Sequence, residues 1–172
     1  MSETGKAYLP TRWEHGERPV TAAKLNAWDD HIAAALTLAY RLINVVAGGG
    51  DGVLAGSLDG VLVTAHMPAS LSVRVLPGHA FIGNMPFELA EPVDLPPATP
   101  PESLPRIDLV QARLSDWSLT VTTGTEAESP DAPEADENCL PLARLHLRPG
   151  MTAIKAEDDG INGYIEDTRT LL

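Results

Sequence analysis

The sequence predicts a mainly β protein in which one long N-terminal, oligomerising α-helix is followed by an antiparallel β-sandwich or small barrel. Three observations predict it. Residues 20–47 (VTAAKLNAWDDHIAAALTLAYRLINVVA) hold a helical spacing of apolar residues. From residue 53 the apolar period changes to two, in short runs bounded by turn residues. Fifteen prolines and fourteen glycines require many turns, which suits short strands better than further helices. The chain divides accordingly into an extended docking arm (1–19), an oligomerisation helix (20–47), a glycine hinge (48–52) and a β-sandwich domain (53–172).

The arm is polar, with Pro10, Gly16 and Pro19 and two isolated anchors, Tyr8 and Trp13. A segment of this kind gains order only by lying on a partner or a neighbouring subunit. In the helix, Leu25, Trp28, Ile32, Ala35, Ala39, Leu42 and Val46 follow one another in steps of 3, 4, 3, 4, 3 and 4. This is the a/d spacing of a coiled-coil seam. A second apolar face (Leu36, Leu38, Ile43, Val45) leaves the helix too apolar to stand alone in water. An ordinary amphipathic core helix has similar spacing, so the pattern alone leaves burial within one chain and burial between copies both open. Thr21 is the expected N-cap, and Gly48-Gly49-Gly50 the stop. The triple glycine precedes no helix and no Lys-Ser/Thr pair, so it reads as a hinge and not as a phosphate loop.

Residues 53–54 and 61–63 read as short strands paired with each other, and Leu71, Val73 and Val75 as a half-buried strand ending at Pro77-Gly78. Residues 80–82 and 87–89 flank Gly83-Asn84, a hairpin turn. Six prolines between Glu91 and Pro105 leave an extended loop. Residues 106–114 (RIDLVQARL) and 117–123 (WSLTVTT) form the clearest hairpin, followed by an acidic solvated loop. Residues 139–147 (CLPLARLHL) are one more strand, and 165–169 a short polar segment. Six to eight strands are expected in all.

Twelve Lys and Arg against twenty-four Asp and Glu give a net charge of −12. A surface this acidic repels phosphate, which excludes electrostatic binding of nucleic acid. No apolar run is long enough for a membrane span, and the N-terminus lacks the apolar core of a signal peptide. The single cysteine, Cys139, allows no intrachain disulfide and reads as a packed small hydrophobe.

Catalytic chemistry is not legible. The five histidines (His15, His31, His66, His79, His146) are scattered, none at a metal-binding i, i+4 spacing and none beside a nucleophile. The loop DDGING beginning at Asp158 fails as a calcium loop, because its third position is Gly160 and its twelfth is Arg169. Asp108 is the one acid embedded among apolar residues, and Arg106 two residues away marks it as half of a structural ion pair. No catalytic, cofactor or metal residue is therefore expected.

In order along the chain stand Gly78-x-Ala80-x-Ile82-Gly83, then Arg-Ile-Asp-Leu-Val at 106–110. Gly124-Thr125-x-Ala127 follows with Pro130 and Pro133, then Pro141-Leu142-Ala143 and a terminal Asp167-x-Arg169. Together with the PTRWEHGERP arm they resemble a family of tailed-phage structural proteins found in tail tips, baseplates and fibre-like appendages. The segment EDDGINGY before IEDTR is longer than the family pattern. The resemblance implies a non-enzymatic virion protein, made in the host cytoplasm and homotrimeric, docked on other virion proteins by its N-terminal arm and involved in host attachment. Three copies would give the helix its partner. Two other readings stand beside it. One is a carbohydrate or host-receptor module with Trp117 as ligand platform, among only eight aromatic residues (three Trp, three Tyr, two Phe). The other is a hydrolase built on Asp108 and the 157–159 acids. A head fibre is the variant placement within the virion.

Overall fold

A computed structural model of the chain describes residues 21–172; the docking arm, with Tyr8 and Trp13, lies outside the described residues. The helix α1 runs from Ala22 to Ala47. Its N-cap is Thr21, whose extended backbone and side-chain oxygen receive the Lys24 N–H at 3.3 Å. It stops where Gly48 takes φ 127°, with the N–H groups of Gly48 and Gly49 returning to the carbonyls of Val45 and Asn44.

Eleven strands follow among the described residues: β1 (Gly52–Val53), β2 (Val63–Ala65), β3 (Val73–Val75), β4 (Gly78–Ile82), β5 (Met85–Leu89), β6 (Val93–Asp94), β7 (Arg106–Arg113), β8 (Ser118–Thr122), β9 (Cys139–Leu147), β10 (Ile154–Lys155) and β11 (Gly163–Asp167). The chain is thus mainly β, with its one described helix at the N-terminal end. The strands form three sheets, ordered β1-β4-β5, β2-β3-β6 and β10-β11-β9-β7-β8. All pairings are antiparallel except β10 with β11 and an isolated bridge between Val53 and Leu171. The sheets do not close into a barrel.

Two expectations are corrected. Residues 53–54 and 61–63 do not pair with each other: Val53 pairs with Ala80 of β4, and Val63 with Val75 of β3. Between them the chain turns through positive φ at Gly56, Leu58, Gly60 and Val61, which carries it from one sheet to another. The strand count exceeds six to eight because β1, β6 and β10 have two residues each, too few to show a period.

The hairpins follow the turn chemistry. Gly83 and Asn84, at φ 58° and 63°, join β4 to β5 in the Ile82–Met85 register of a two-residue loop. Pro141 sits in β9, next to a register shift opposite Val110 and Gln111, and beyond the stretch of β9 that β11 covers. A missing N–H is tolerated at such a bulge. One core joins the sheets: Val53, Val61, Val75, Ile82, Phe87, Leu142, Leu147 and Ile154 are fully buried. Two glycines of the family-like pattern have a steric reason. A Cβ on Gly78 would strike the backbone of Gly60 and Val61, and one on Gly124 would strike the Ile107 carbonyl. The Asp167-x-Arg169 pair also acts in the fold: Arg169 grips Asp167 with Nε and Nη2, at 2.8 and 2.7 Å, and donates Nη1 to the Gly60 carbonyl.

Candidate functional site

The helix surface departs most from what a folded chain normally exposes. Leu25, Trp28, Leu36, Leu38, Leu42, Ile43, Val45 and Val46 are all exposed, Val46 at 89%. Of the expected seam, Ile32 and Ala35 are half-buried and Ala39 exposed. Toward its C-terminal end the helix turns another stripe inward: Thr37, Tyr40 and Ala47 are half-buried and Asn44 is 1% exposed. Asn44 stands two residues from both Leu42 and Val46, about 200° around the helix from each. The stripe that meets the domain, near β5, and the seam therefore lie on opposite sides. From Val45 through Leu38, Leu42, Val46 and Ile43 to Leu36, exposed apolar side chains cover an arc of about 180°.

Asn44 is a residue the sequence reading missed. Its Nδ2 donates to the Gly50 carbonyl at 2.8 Å and its Oδ1 accepts the Gly50 N–H at 3.1 Å. The side chain thus clamps the stretch read as a hinge, and Leu172 packs beside Gly48. Polarity at this position in the last turn was a legible signal, since an asparagine inside an apolar run needs partners.

Arg106 and Asp108 meet in a bidentate pair at 2.7 and 3.1 Å, with side chains only 12% and 4% exposed. Arg106 also donates to the Thr99 carbonyl at 2.9 Å, and Asp108 accepts the Gly124 N–H at 3.0 Å. With three donors on it, two at Oδ1 and one at Oδ2, Asp108 is a structural anchor for the loop after β8.

Trp117 occupies φ 56° in the β7–β8 turn, braced by Asp116, which accepts the Ser118 hydroxyl at 2.6 Å. Its ring stacks on buried Phe87, centroids 5.9 Å apart and planes 10° from parallel, while half of its surface stays exposed. Asp158 accepts two bonds from Arg148, at 2.7 and 2.8 Å, and the Gly160 N–H. Arg148 and Gly160 hold its pKa down to about 2. Asp159, held by Lys155 and Asn162, is lowered further. Asp158 fastens the long loop before β11 to the end of β9, and Asp159 ties it to Lys155 of β10.

The structure corrects one expectation about histidines. Ser57 and His79, 22 residues apart, share a short hydrogen bond at Nδ1, and His79 Nε2 stands 3.4 Å from Glu88 across the β4–β5 pair. The imidazole and carboxylate are 40% and 62% exposed, and none of the three residues lines the cleft described next. Among the described residues no cluster of three His, Cys, Asp or Glu could hold a metal, and no helix is long and apolar enough to cross a membrane.

A cleft of about 510 Å³ opens between β8 and the proline-rich segment after β6. Leu71, Val73, Leu95 and Leu145 form its apolar depth, Pro96 and Pro97 one lip, Leu119 and Val121 the other, with the Arg106–Asp108 pair at the wall. Searches of family models, curated proteins and solved structures for a counterpart to this chain return no match.

Proposed function

We propose that this chain is a non-enzymatic virion component of a tailed phage, a homotrimeric tail or baseplate adaptor or short fibre. In this reading its helix is the joint between a docking arm on other virion proteins and a projecting β-sandwich domain. The single observation that carries it is the exposed apolar arc of α1. The β domain fills its own core, so the helix is left with apolar surface that nothing among the described residues covers. Burying what Leu25, Ile32, Leu42 and Val46 leave exposed contributes up to roughly 1.5–3 kcal/mol for Val46 and less for the other three, before the cost of association. An arc of about 180° is wider than a strict a/d stripe between two helices and suits a helix that touches two neighbours, hence three copies. The phage assignment itself rests on the resemblance of the ordered motifs, in which Gly78, Gly124, Asp167 and Arg169 also meet specific needs of this fold.

Sedimentation or light scattering at micromolar concentration tests the assembly, and a stable monomer overturns it. Ile32→Asp should dissociate the protein while its strand circular dichroism persists, and Asp116→Ala, in a turn, should leave the assembly intact.

The half-exposed indole of Trp117 favours a second reading, a carbohydrate or receptor module. Glycan-array binding that disappears in Trp117→Ala would support it, and an empty array would remove it.

A further inference from the structure

We infer that Ser57 is an acyl-acceptor site, a hydroxyl made nucleophilic by His79 that takes a small acyl group from a neutral activated ester. The inference goes beyond the assembly proposed above and does not rest on it. Acylation modifies a structural protein once and needs no turnover.

β4, β5 and the loop between β1 and β2 build the site. His79 of β4 and Glu88 of β5 are cross-strand partners, so their side chains leave the same face of the hairpin. The loop is pinned to the start of β4. Leu54 donates its N–H to the His79 carbonyl at 2.9 Å, and Asp59 donates its N–H to the Pro77 carbonyl at 3.1 Å. Ser57 lies between these two bonds, flanked by Gly56 at φ 73° and Leu58 at φ 54°, where the loop turns. Its hydroxyl is held 2.5 Å from His79 Nδ1.

The direction of that bond follows from the imidazole's other nitrogen. A neutral imidazole has one N–H, and the nitrogen that faces an acceptor keeps it. Glu88 Oε1, 3.4 Å from Nε2, is a carboxylate oxygen and can only accept. Nε2 therefore carries the proton, Nδ1 is bare, and the Ser57 hydroxyl donates to it. Nucleophile, base and a third group orienting the base are the parts of an activated serine. Glu88 is a positioning residue, because it acts through His79.

The step balances. Ser57 Oγ adds to the ester carbonyl while its proton passes to Nδ1. The bond from that carbon to the leaving alcohol breaks, and the alcohol oxygen takes the proton from Nδ1. The acyl group stays on Oγ and His79 ends neutral. Charge that develops on the carbonyl oxygen needs donors. The N–H groups of Gly56 and Leu58, on either side of the serine, donate to no acceptor among the described residues.

The surroundings select the donor. Glu88 at the imidazole, Asp59 two residues from Ser57 and the net charge of −12 repel an anionic donor such as an acyl phosphate. Leu58 is 64% exposed and offers apolar surface to the acyl chain. The imidazole is 40% exposed, so a small donor reaches it from solvent.

The test treats the full chain with p-nitrophenyl acetate and maps the acetyl groups by peptide mass spectrometry, with lysine acetylation as the internal standard. Ser57 should be acetylated, and the label should vanish in Ser57→Ala. In His79→Gln its rate should fall about a hundredfold. Nitrogen-15 shifts of the His79 ring should place the proton on Nε2, and that preference should disappear in Glu88→Ala. An unlabelled Ser57, or one labelled equally fast without His79, overturns the inference. A proton on Nδ1 overturns it too, since the serine would then accept and not donate. Should a variant lose its strand circular dichroism, labelling and tautomer of the unaltered chain still decide.

Discussion

The helix and the β domain handle apolar surface in opposite ways. In the β domain the large hydrophobes converge from three sheets on one core, and Phe87, Ile82 and Leu142 are completely buried. In α1 the same residue types point outward over about half the circumference, and the only buried side chain is polar, Asn44. The domain is stabilised by contacts within one chain, so its stability should not depend on concentration. In the proposed assembly the helix gains contacts between chains, and that gain should rise with concentration by mass action. The difference teaches where to look for function: in the part of the molecule that its own fold leaves unfinished.

The largest effects should come from the domain and leave the assembly alone. Phe87→Ala removes a fully buried ring and the support under Trp117, and should cost about 3–5 kcal/mol in urea unfolding. Asp108→Ala should cost a similar amount, roughly 3–5 kcal/mol, because it strands the Arg106 guanidinium at 12% exposure and frees the Gly124 N–H. Joint replacement by Arg106→Met and Asp108→Leu should recover most of that loss. If either single variant dissociates the oligomer while the strands stay folded, the separation of the two regions fails.

Asn44→Ala probes the seam between the regions. It deletes both bonds to Gly50, whose exposed carbonyl and N–H can turn to water, at a cost of about 0.5–1.5 kcal/mol. The expected signature is faster hydrogen exchange at the Gly50 amide with oligomeric state unchanged. Unchanged exchange would mean that the glycines, not the asparagine, set the joint.

Sequence made the helix legible because 26 residues give an apolar period time to declare itself, and the cap at Thr21 and the stop at Gly48 fall where their chemistry places them. The β4–β5 and β7–β8 hairpins were legible for the same reason, alternation plus a marked turn. The β1 and β2 partners were not. Each strand is paired across the chain by contacts that no local pattern encodes, and the positive φ values at Leu58 and Val61 belong to residue types that do not announce them. The Arg106–Asp108 pair could be read from an i, i+2 spacing on one strand face, whereas Ser57 with His79, and the cleft between β8 and Pro96-Pro97, exist only once distant segments meet.

The smallest predicted effect separates the regions by pH. Asp158 is fixed by Arg148 and the Gly160 N–H, and its carboxyl titrates at about 2, below the unfolded aspartate range. A carboxylate whose pKa is depressed on folding lends stability above its unfolded pKa and loses it as pH falls toward its folded one. The loop between β10 and β11 should therefore hold down to about pH 4 and detach from Arg148 between there and about pH 2. Carboxyl carbon shifts of Asp158, followed by NMR with the Arg148 side-chain protons, would report it. An ordinary aspartate titration would refute the contact. The seam residues Leu25, Trp28, Ile32, Ala35, Ala39, Leu42 and Val46 include no titratable group, so light scattering across the same window should not follow the loop. Dissociation that tracks Asp158 would show that the loop, and not the apolar arc, holds the copies together.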